Sequence, residues 1–261
     1  MLTTDFVPGA PDWLDLGSRD IDRSTAFYTG LLGWQFQSAG PDAGGYGFFQ
    51  KNGKNVAAVG PLGEENVSPA WTVYFHTQDA DATAEAVQRA GGQVRLAPLD
   101  VMGQGRMAGF TDPTGAEFAV WQPGATKGLD AVTDPGSLCW TELHTPDPGV
   151  ARDFYGSVFQ WHAEDMPVAG FNYTVVSTAD GGEDTSIGGI MPLLAEQQSA
   201  GVGPYWLPYL EVEDVDTVVN RAQQLGGQVV MPAADMEGVG RMAQLTDPDG
   251  AAFSVINSAA S

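Results

Sequence analysis

The chain has 261 residues, 43% of them hydrophobic, and carries 33 acidic against 11 basic side chains, a formal charge of −22. That length allows one large domain or two of ordinary size with a real core, while the charge repels phosphate backbones and anionic lipid headgroups and so argues against nucleic-acid or membrane-surface partners. A single cysteine, Cys139, excludes an internal disulfide framework and a cysteine-rich metal site. The opening MLTTDFVPGAPDW lacks a basic segment followed by an apolar run, and no window approaches the ~18 to 20 apolar residues of a membrane span; a reducing cytoplasm is the expected compartment.

Along the chain, Trp13-Leu14-Asp15-Leu16 opens a short strand, and a helix begins after Asp20, carrying Phe27 and Leu31 four apart. A second strand follows around Trp71 and Tyr74, then a helix over Asp81 to Ala90 whose apolar positions are Ala82, Ala86, Val87 and Ala90. Asp112-Pro113-Thr114-Gly115 places proline and glycine where a tight turn needs them, and Ala116 to Trp121 alternates as a strand. Residues 124–136 have the Gly/Pro/Asp/Thr composition of a linker.

The sequence then repeats itself. Trp140-Thr141-Glu142-Leu143, Phe154-Tyr155 and Trp161 echo Trp13-Leu14-Asp15-Leu16, Phe27-Tyr28 and Trp34 at an offset of 127. Pro204, Trp206, Tyr209, Gly226-Gly227-Gln228-Val229 and the hairpin at Asp247 echo Pro69, Trp71, Tyr74, Gly91-Gly92-Gln93-Val94 and Asp112 at an offset of 135. Eight residues are therefore gained in between, within 165–202. The second half predicts a helix after Asp147-Pro148 bearing Phe154 and Val158, and another over Asp214 to Leu225 with Val215, Val218, Val219, Ala222 and Leu225 in one stripe, closed by Gly226-Gly227. Four modules of strand, helix and three strands cover roughly 11–65, 69–121, 138–192 and 204–256.

The module order, the WxDL or WxEL strand, the AFYxxLLGW-like helix, GGQV and the TDPxGAxF hairpin together resemble the vicinal oxygen chelate superfamily, which includes glyoxalase I, bleomycin-binding proteins, fosfomycin-resistance enzymes and extradiol dioxygenases. Within it the wording is similar to two-domain actinobacterial proteins of the mycobacterial antigen type and to the glyoxalase-like "hydroxylase" proteins of anthracycline pathways. The resemblance implies an α+β fold in which four βαβββ modules form two tandem glyoxalase-like, cup-shaped domains, at 1–123 and 137–261, joined by the linker 124–136. It also implies positions for a metal: Trp13, Thr72 and Ala119 in the first half, and Trp140, Leu207 and Ser254 in the second. None of these is an imidazole or a carboxylate, so no metal cofactor is expected.

Because strand side chains alternate, the remaining cup-facing candidates are Trp13, Asp15, Tyr74, His76 and Trp121 in the first half and Trp140, Glu142, His144, Tyr209 and Glu211 in the second. Aromatic rings with a few carboxylates and imidazoles suit a small hydrophobic or aromatic ligand. Asp15 and Glu142 each lie two residues after a tryptophan. They read either as ligand anchors or general bases activated by desolvation, or as structural partners of Arg106 or Arg241. A competing arrangement places a displaced iron or zinc site on His76, His144, Glu142 and Glu117. Met102, Met107, Met231, Met236 and Met242 either line an adaptable mouth or fill core.

The leading expectation is thus a metal-independent binder of a small molecule, for sequestration or for presentation to a tailoring enzyme as partner, acting as monomer or homodimer. The alternative is an enzyme of lyase, isomerase or hydroxylase type acting on a polyketide-like or dicarbonyl substrate, with Asp15 or Glu142 moving a proton.

Overall fold

The computed structural model describes residues 2–63, 67–168, 170–179 and 185–259. The first half runs β1 (Pro11–Ser18), α1 (Ile21–Leu32), β2 (Gln35–Ser38), β3 (Gly47–Lys51), β4 (Lys54–Pro61), β5 (Ala70–His76), α2 (Ala80–Arg89), β6 (Gln93–Asp100), β7 (Gly105–Thr111) and β8 (Glu117–Pro123). The second runs β9 (Leu138–Thr145), α3 (Pro148–Phe159), β10 (His162–Val168), β11 (Phe171–Ser177), β12 (Ser186–Pro192), α4 (Ala195–Ser199), β13 (Tyr205–Glu211), α5 (Val215–Gln224), β14 (Gln228–Met236), β15 (Gly240–Thr246) and β16 (Ala252–Ser258). The strand-helix-three-strand rhythm therefore occurs four times. The short α4 lies in the region where the second half gained residues; part of that region, 180–184, falls outside the described residues.

Hydrogen bonding joins the strands into two eight-stranded sheets of the same order, β2-β3-β4-β1-β5-β8-β7-β6 and β10-β11-β12-β9-β13-β16-β15-β14. The first strand of each module runs parallel to its last, as β5 does to β8 through Tyr74 opposite Ala119 and β13 to β16 through Tyr209 opposite Ser254. This is the α+β architecture of two tandem glyoxalase-like domains.

The helices begin where side chains can satisfy their free N–H groups. Asp20 accepts from Arg23 N, Asp147 from Val150 N with Pro148 at the first helical position, and Asp214 from Thr217 N. The second helix departs from expectation. Asp79 caps α2 by accepting from Asp81 N and Ala82 N, so the helix begins at Ala80, one residue before the expected Asp81, and buries Ala80, Ala84 and Val87 while Ala82 is exposed. In α5 only Val215 and Ala222 of the expected stripe are fully buried.

Backbone proximity groups the chain into two compact units, each drawn from both halves: Met1–Trp13, Val73–Gly128 and Trp140–Leu207 in one, and Leu14–Thr72, Leu129–Cys139 and Pro208–Ser261 in the other. Each is held by the same buried chain of side chains. In the first unit Trp206 Nε1 donates to the Tyr155 hydroxyl at 2.9 Å, which donates to Asp112 Oδ2 at 3.0 Å. In the second, Trp71 Nε1 donates to Tyr28 at 3.0 Å, which donates to Asp247 at 3.3 Å. The other oxygen of Asp112 holds the hairpin, accepting from the backbone N–H groups of Thr114, Gly115 and Ala116. Burial, and then the neighbouring aspartate charge, push both tyrosine hydroxyls well above the usual phenol range, so they remain donors. The second glycine of each GGQV segment lets a helix approach: a β-carbon on Gly92 would lie 2.9 Å from Phe154 Cε2, and one on Gly227 3.0 Å from Phe27 Cε2.

The two matched arginines serve the scaffold, but not through Asp15 or Glu142. Arg106 pairs with Asp81 and Arg241 with Asp216, the latter through Nε at 2.7 Å and Nη2 at 2.9 Å. These pairs lie at the solvent surface, where screening leaves little net stabilisation. Arg241→Ala is therefore expected to leave the urea unfolding midpoint nearly unchanged; a large downward shift would show that the pair matters more than its exposure implies.

Met102, Met231 and Met236 are exposed at 72%, 46% and 43%, so core filling does not explain them. No helix among the described residues is long and apolar enough to cross a membrane.

Candidate functional site

Strand β9 alternates cleanly. Leu143 is fully buried on the helix side, and Trp140, Glu142 and His144 project from the other. Opposite Glu142 on β12 stands Gly189, and across from Gly189 on β11 stands Val175. The missing side chain at Gly189 makes room for Tyr173, whose ring and hydroxyl occupy the space a β-carbon would take.

Tyr173 accepts from Trp140 Nε1 at 3.0 Å and donates to Glu142 Oε2 at 2.8 Å. Its hydroxyl is pushed well above the usual phenol range, first by burial and then by the Glu142 charge, which keeps the proton on the tyrosine. The other carboxylate oxygen, Oε1, lies 2.8 Å from His144 Nε2. That contact is an ion-pair approach and not a hydrogen bond, and among the described residues neither ring nitrogen of His144 has a hydrogen-bond partner. The imidazole lies flat on Tyr205 of β13, with centroids 4.7 Å apart and planes 10° apart. Glu142 is 6% and His144 3% exposed, whereas Trp140, Tyr173 and Tyr205 are half-buried. The result is a carboxylate held behind three accessible aromatic rings.

Of the ten expected site residues, this wall gathers Trp140, Glu142 and His144, and adds Tyr173 and Tyr205. In the first half Asp15 accepts from the Tyr46 hydroxyl at 3.4 Å, a looser version of the same pair. Tyr46 and Tyr173 are themselves related by the 127-residue offset, a signal in the repeat that could have found both. Trp13, Tyr74 and Tyr209 are buried. Trp121 is buried too, packs over Gly105, and donates to Thr126 O at 3.0 Å, tying the linker down. Glu211 is turned to backbone duty, accepting from Ser258 N at 3.0 Å and Ser258 Oγ at 2.6 Å. The lone thiol, Cys139, is pushed up by burial and by Glu211, and donates to Tyr209 O, both of which disfavour the thiolate.

The displaced metal site on His76, His144, Glu142 and Glu117 does not form. His76 Nδ1 lies 3.2 Å from Asp12 Oδ2 and its ring stacks on Phe6, while Glu117 reaches outward to Arg95 at 2.5 Å. Among the described residues no three of His, Cys, Asp and Glu are grouped as metal ligands would be. The positions that the family resemblance gives to a metal offer at most the hydroxyls of Thr72 and Ser254, the latter fully buried with no partner for its Oγ. Such a donor set does not fit a divalent cation.

Asp12 and His76 form a buried acid–base contact in which burial dominates both partners, raising the Asp12 carboxyl well above its usual range and lowering the His76 imidazole. An acid whose pKa is raised by folding is protonated more readily in the folded state, so its contribution to stability is lost as pH climbs above the ordinary aspartate range. Asp12→Asn is expected to remove this slope, with the variant gaining on the wild type in urea unfolding as pH rises. A constant gap across pH would show that Asp12 titrates normally.

The model of the Glyoxalase/Bleomycin resistance protein/Dioxygenase superfamily matches residues 10–120 and again 137–255, and the chain belongs to that superfamily. It is 43% identical to the anthracycline biosynthesis protein DnrV of Streptomyces peucetius over 97% of this chain and 94% of that protein. It is 37% identical to CFP32 of Mycobacterium tuberculosis over 98% and 97%. Solved structures of the same fold include the Mn(II)-bound glyoxalase from Novosphingobium aromaticivorans (TM-score 0.66, 18% identity, 96% of this chain and 83% of that one). Another is 2,2',3-trihydroxybiphenyl 1,2-dioxygenase from Sphingomonas wittichii (0.65, 13%, 97% and 91%).

Proposed function

We propose that this chain binds a planar aromatic molecule of the aromatic-polyketide class, and does so without a divalent metal at the family's positions. The observation that carries the reading is the β9 wall, where Trp140, Tyr173 and Tyr205 surround the buried carboxylate of Glu142. Half-exposed indole and phenol rings supply stacking area, and the oriented Tyr173–Glu142 pair supplies a polar reference for the ligand's rim. The relative DnrV is named for anthracycline biosynthesis, which favours a polycyclic aromatic as the ligand. A bound ligand of this kind would be held for a tailoring enzyme or sequestered.

Titration of the full chain with an anthracycline should quench tryptophan fluorescence to saturation, before and after exhaustive treatment with a chelator. Stoichiometric metal in the purified protein, whose removal abolishes binding, would overturn the reading.

A second reading is favoured by one contact, the approach of His144 to Glu142 beside Tyr173, which is an arrangement able to move a proton on a dicarbonyl or polyketide-like substrate. Glu142→Gln is then expected to abolish turnover while ligand affinity changes by no more than a few fold; unchanged turnover removes the idea.

A further inference from the structure

The two halves repeat the acid–tyrosine pair but not its neighbour. Asp15 and Tyr46 correspond to Glu142 and Tyr173, and the residue corresponding to His144 is Gly17. A β-carbon on Gly17 would lie 2.6 Å from Leu62 Cδ2. Where the second half projects an imidazole, the first half packs a leucine methyl against bare backbone.

His144 itself is unusual. It is 3% exposed, yet among the described residues neither nitrogen makes a hydrogen bond; Nε2 lies 2.8 Å from Glu142 Oε1, and Nδ1 has no polar neighbour of that kind. Buried polar side chains in folded proteins are nearly always hydrogen-bonded, so an exception is a group with hydrogen-bonding capacity to spare. The ring covering the imidazole, Tyr205, is half-buried and opens β13 directly after the exposed segment 201–203. It lies flat on the imidazole with centroids 4.7 Å apart, and its displacement opens the imidazole to a ligand.

We infer that His144 is the residue by which the second half, and not the first, recognises a hydroxyl group on the rim of a planar aromatic ligand. The ligand displaces the Tyr205 ring and approaches the imidazole edge-on, so that its rim hydroxyl donates to Nδ1 in the plane of the ring, while Nε2 keeps its contact with Glu142. The inference rests on the reading of this chain as a binder of aromatic molecules. It narrows the ligand class to hydroxylated polycyclic aromatics, and it makes the stoichiometry one molecule per chain, since the first half has no equivalent nitrogen.

The test compares 2-hydroxyanthraquinone with 2-methoxyanthraquinone by fluorescence titration of the full-length chain. Wild type is expected to bind one molecule and to prefer the hydroxyl compound by about tenfold, the scale of one well-made hydrogen bond. His144→Phe keeps a ring to stack on Tyr205 but has no nitrogen, and should bind both compounds equally at the weaker affinity. His144→Asn, which returns an amide near the Nδ1 position, should regain part of the preference; this rescue also separates recognition from a packing effect. Survival of the preference in His144→Phe, equal binding of the two compounds by wild type, or two molecules per chain would each overturn the assignment of His144 while leaving aromatic binding intact. If neither compound binds wild type, the aromatic-ligand reading falls with it.

Discussion

Asp112→Ala is expected to destabilise the protein by about 3–5 kcal/mol, the range for breaking a buried hydrogen-bonded network around a carboxylate. One side chain closes two structures at once. Through Oδ1 it organises the Thr114–Ala116 turn, and through Oδ2 it accepts the Tyr155 hydroxyl, which in turn accepts from Trp206. Removing it frees three backbone N–H groups and strands a buried phenol whose other neighbours are the rings of Phe75, Phe118 and Trp161. Tyr155→Phe keeps the ring and loses only the hydroxyl, so a smaller cost of about 1–2 kcal/mol is expected. Urea unfolding followed by far-ultraviolet circular dichroism checks both, and the double variant should cost less than the sum because the two residues share one bond. A cost under about 1 kcal/mol for Asp112→Ala would mean that the turn and the core are held by other contacts.

The second large effect is expected at Gly189, a residue that touches no ligand in any reading of the site. A β-carbon there would overlap the Tyr173 hydroxyl and ring. Gly189→Ala should therefore displace the phenol, break its bonds to Trp140 and Glu142, and leave the Glu142 carboxylate without its orienting donor. Overpacking of this kind costs about 1–3 kcal/mol of stability, and anthracycline affinity should fall by at least about tenfold, the loss of one or more oriented polar contacts. Tyr173→Phe is the informative companion. It preserves the stacking surface, so affinity should fall less than in Gly189→Ala. Wild-type affinity in Gly189→Ala, in a protein that remains folded, would remove Tyr173 from the site.

Much of this was legible in the chain. The duplicated TDPxG hairpin, the FY pair and the Trp71/Trp206 repeat announced a duplicated scaffold, and the alternation of β9 placed Trp140, Glu142 and His144 on one face. The less accurate readings arose where pairing partners are distant in sequence. Alternation also placed His76 and Glu211 on the same kind of face, but His76 is drawn to Asp12 and Glu211 to Ser258. Strand period says which way a side chain leaves the backbone and not which neighbour it meets. In α2 the buried positions are Ala80, Ala84 and Val87, not the expected Ala82, Ala86 and Ala90, because the alanines offer several equivalent stripes and only a core decides which of them is buried.

The four-module order, the duplicated turns and the helix starts after Asp20 and Asp147 were readable in the chain, because each is a property of residue type at a local spacing, and the motifs built from them resemble the superfamily to which the chain belongs. Folding was needed to show that Asp112 of the first half is the acceptor for Tyr155 of the second, that Tyr173 donates to Glu142, and that His144 is buried beside that carboxylate. Those outcomes depend on which surfaces are brought together when apolar area is withdrawn from water, a choice made over 43 residues of separation in the first case and by a single missing β-carbon at Gly189 in the second.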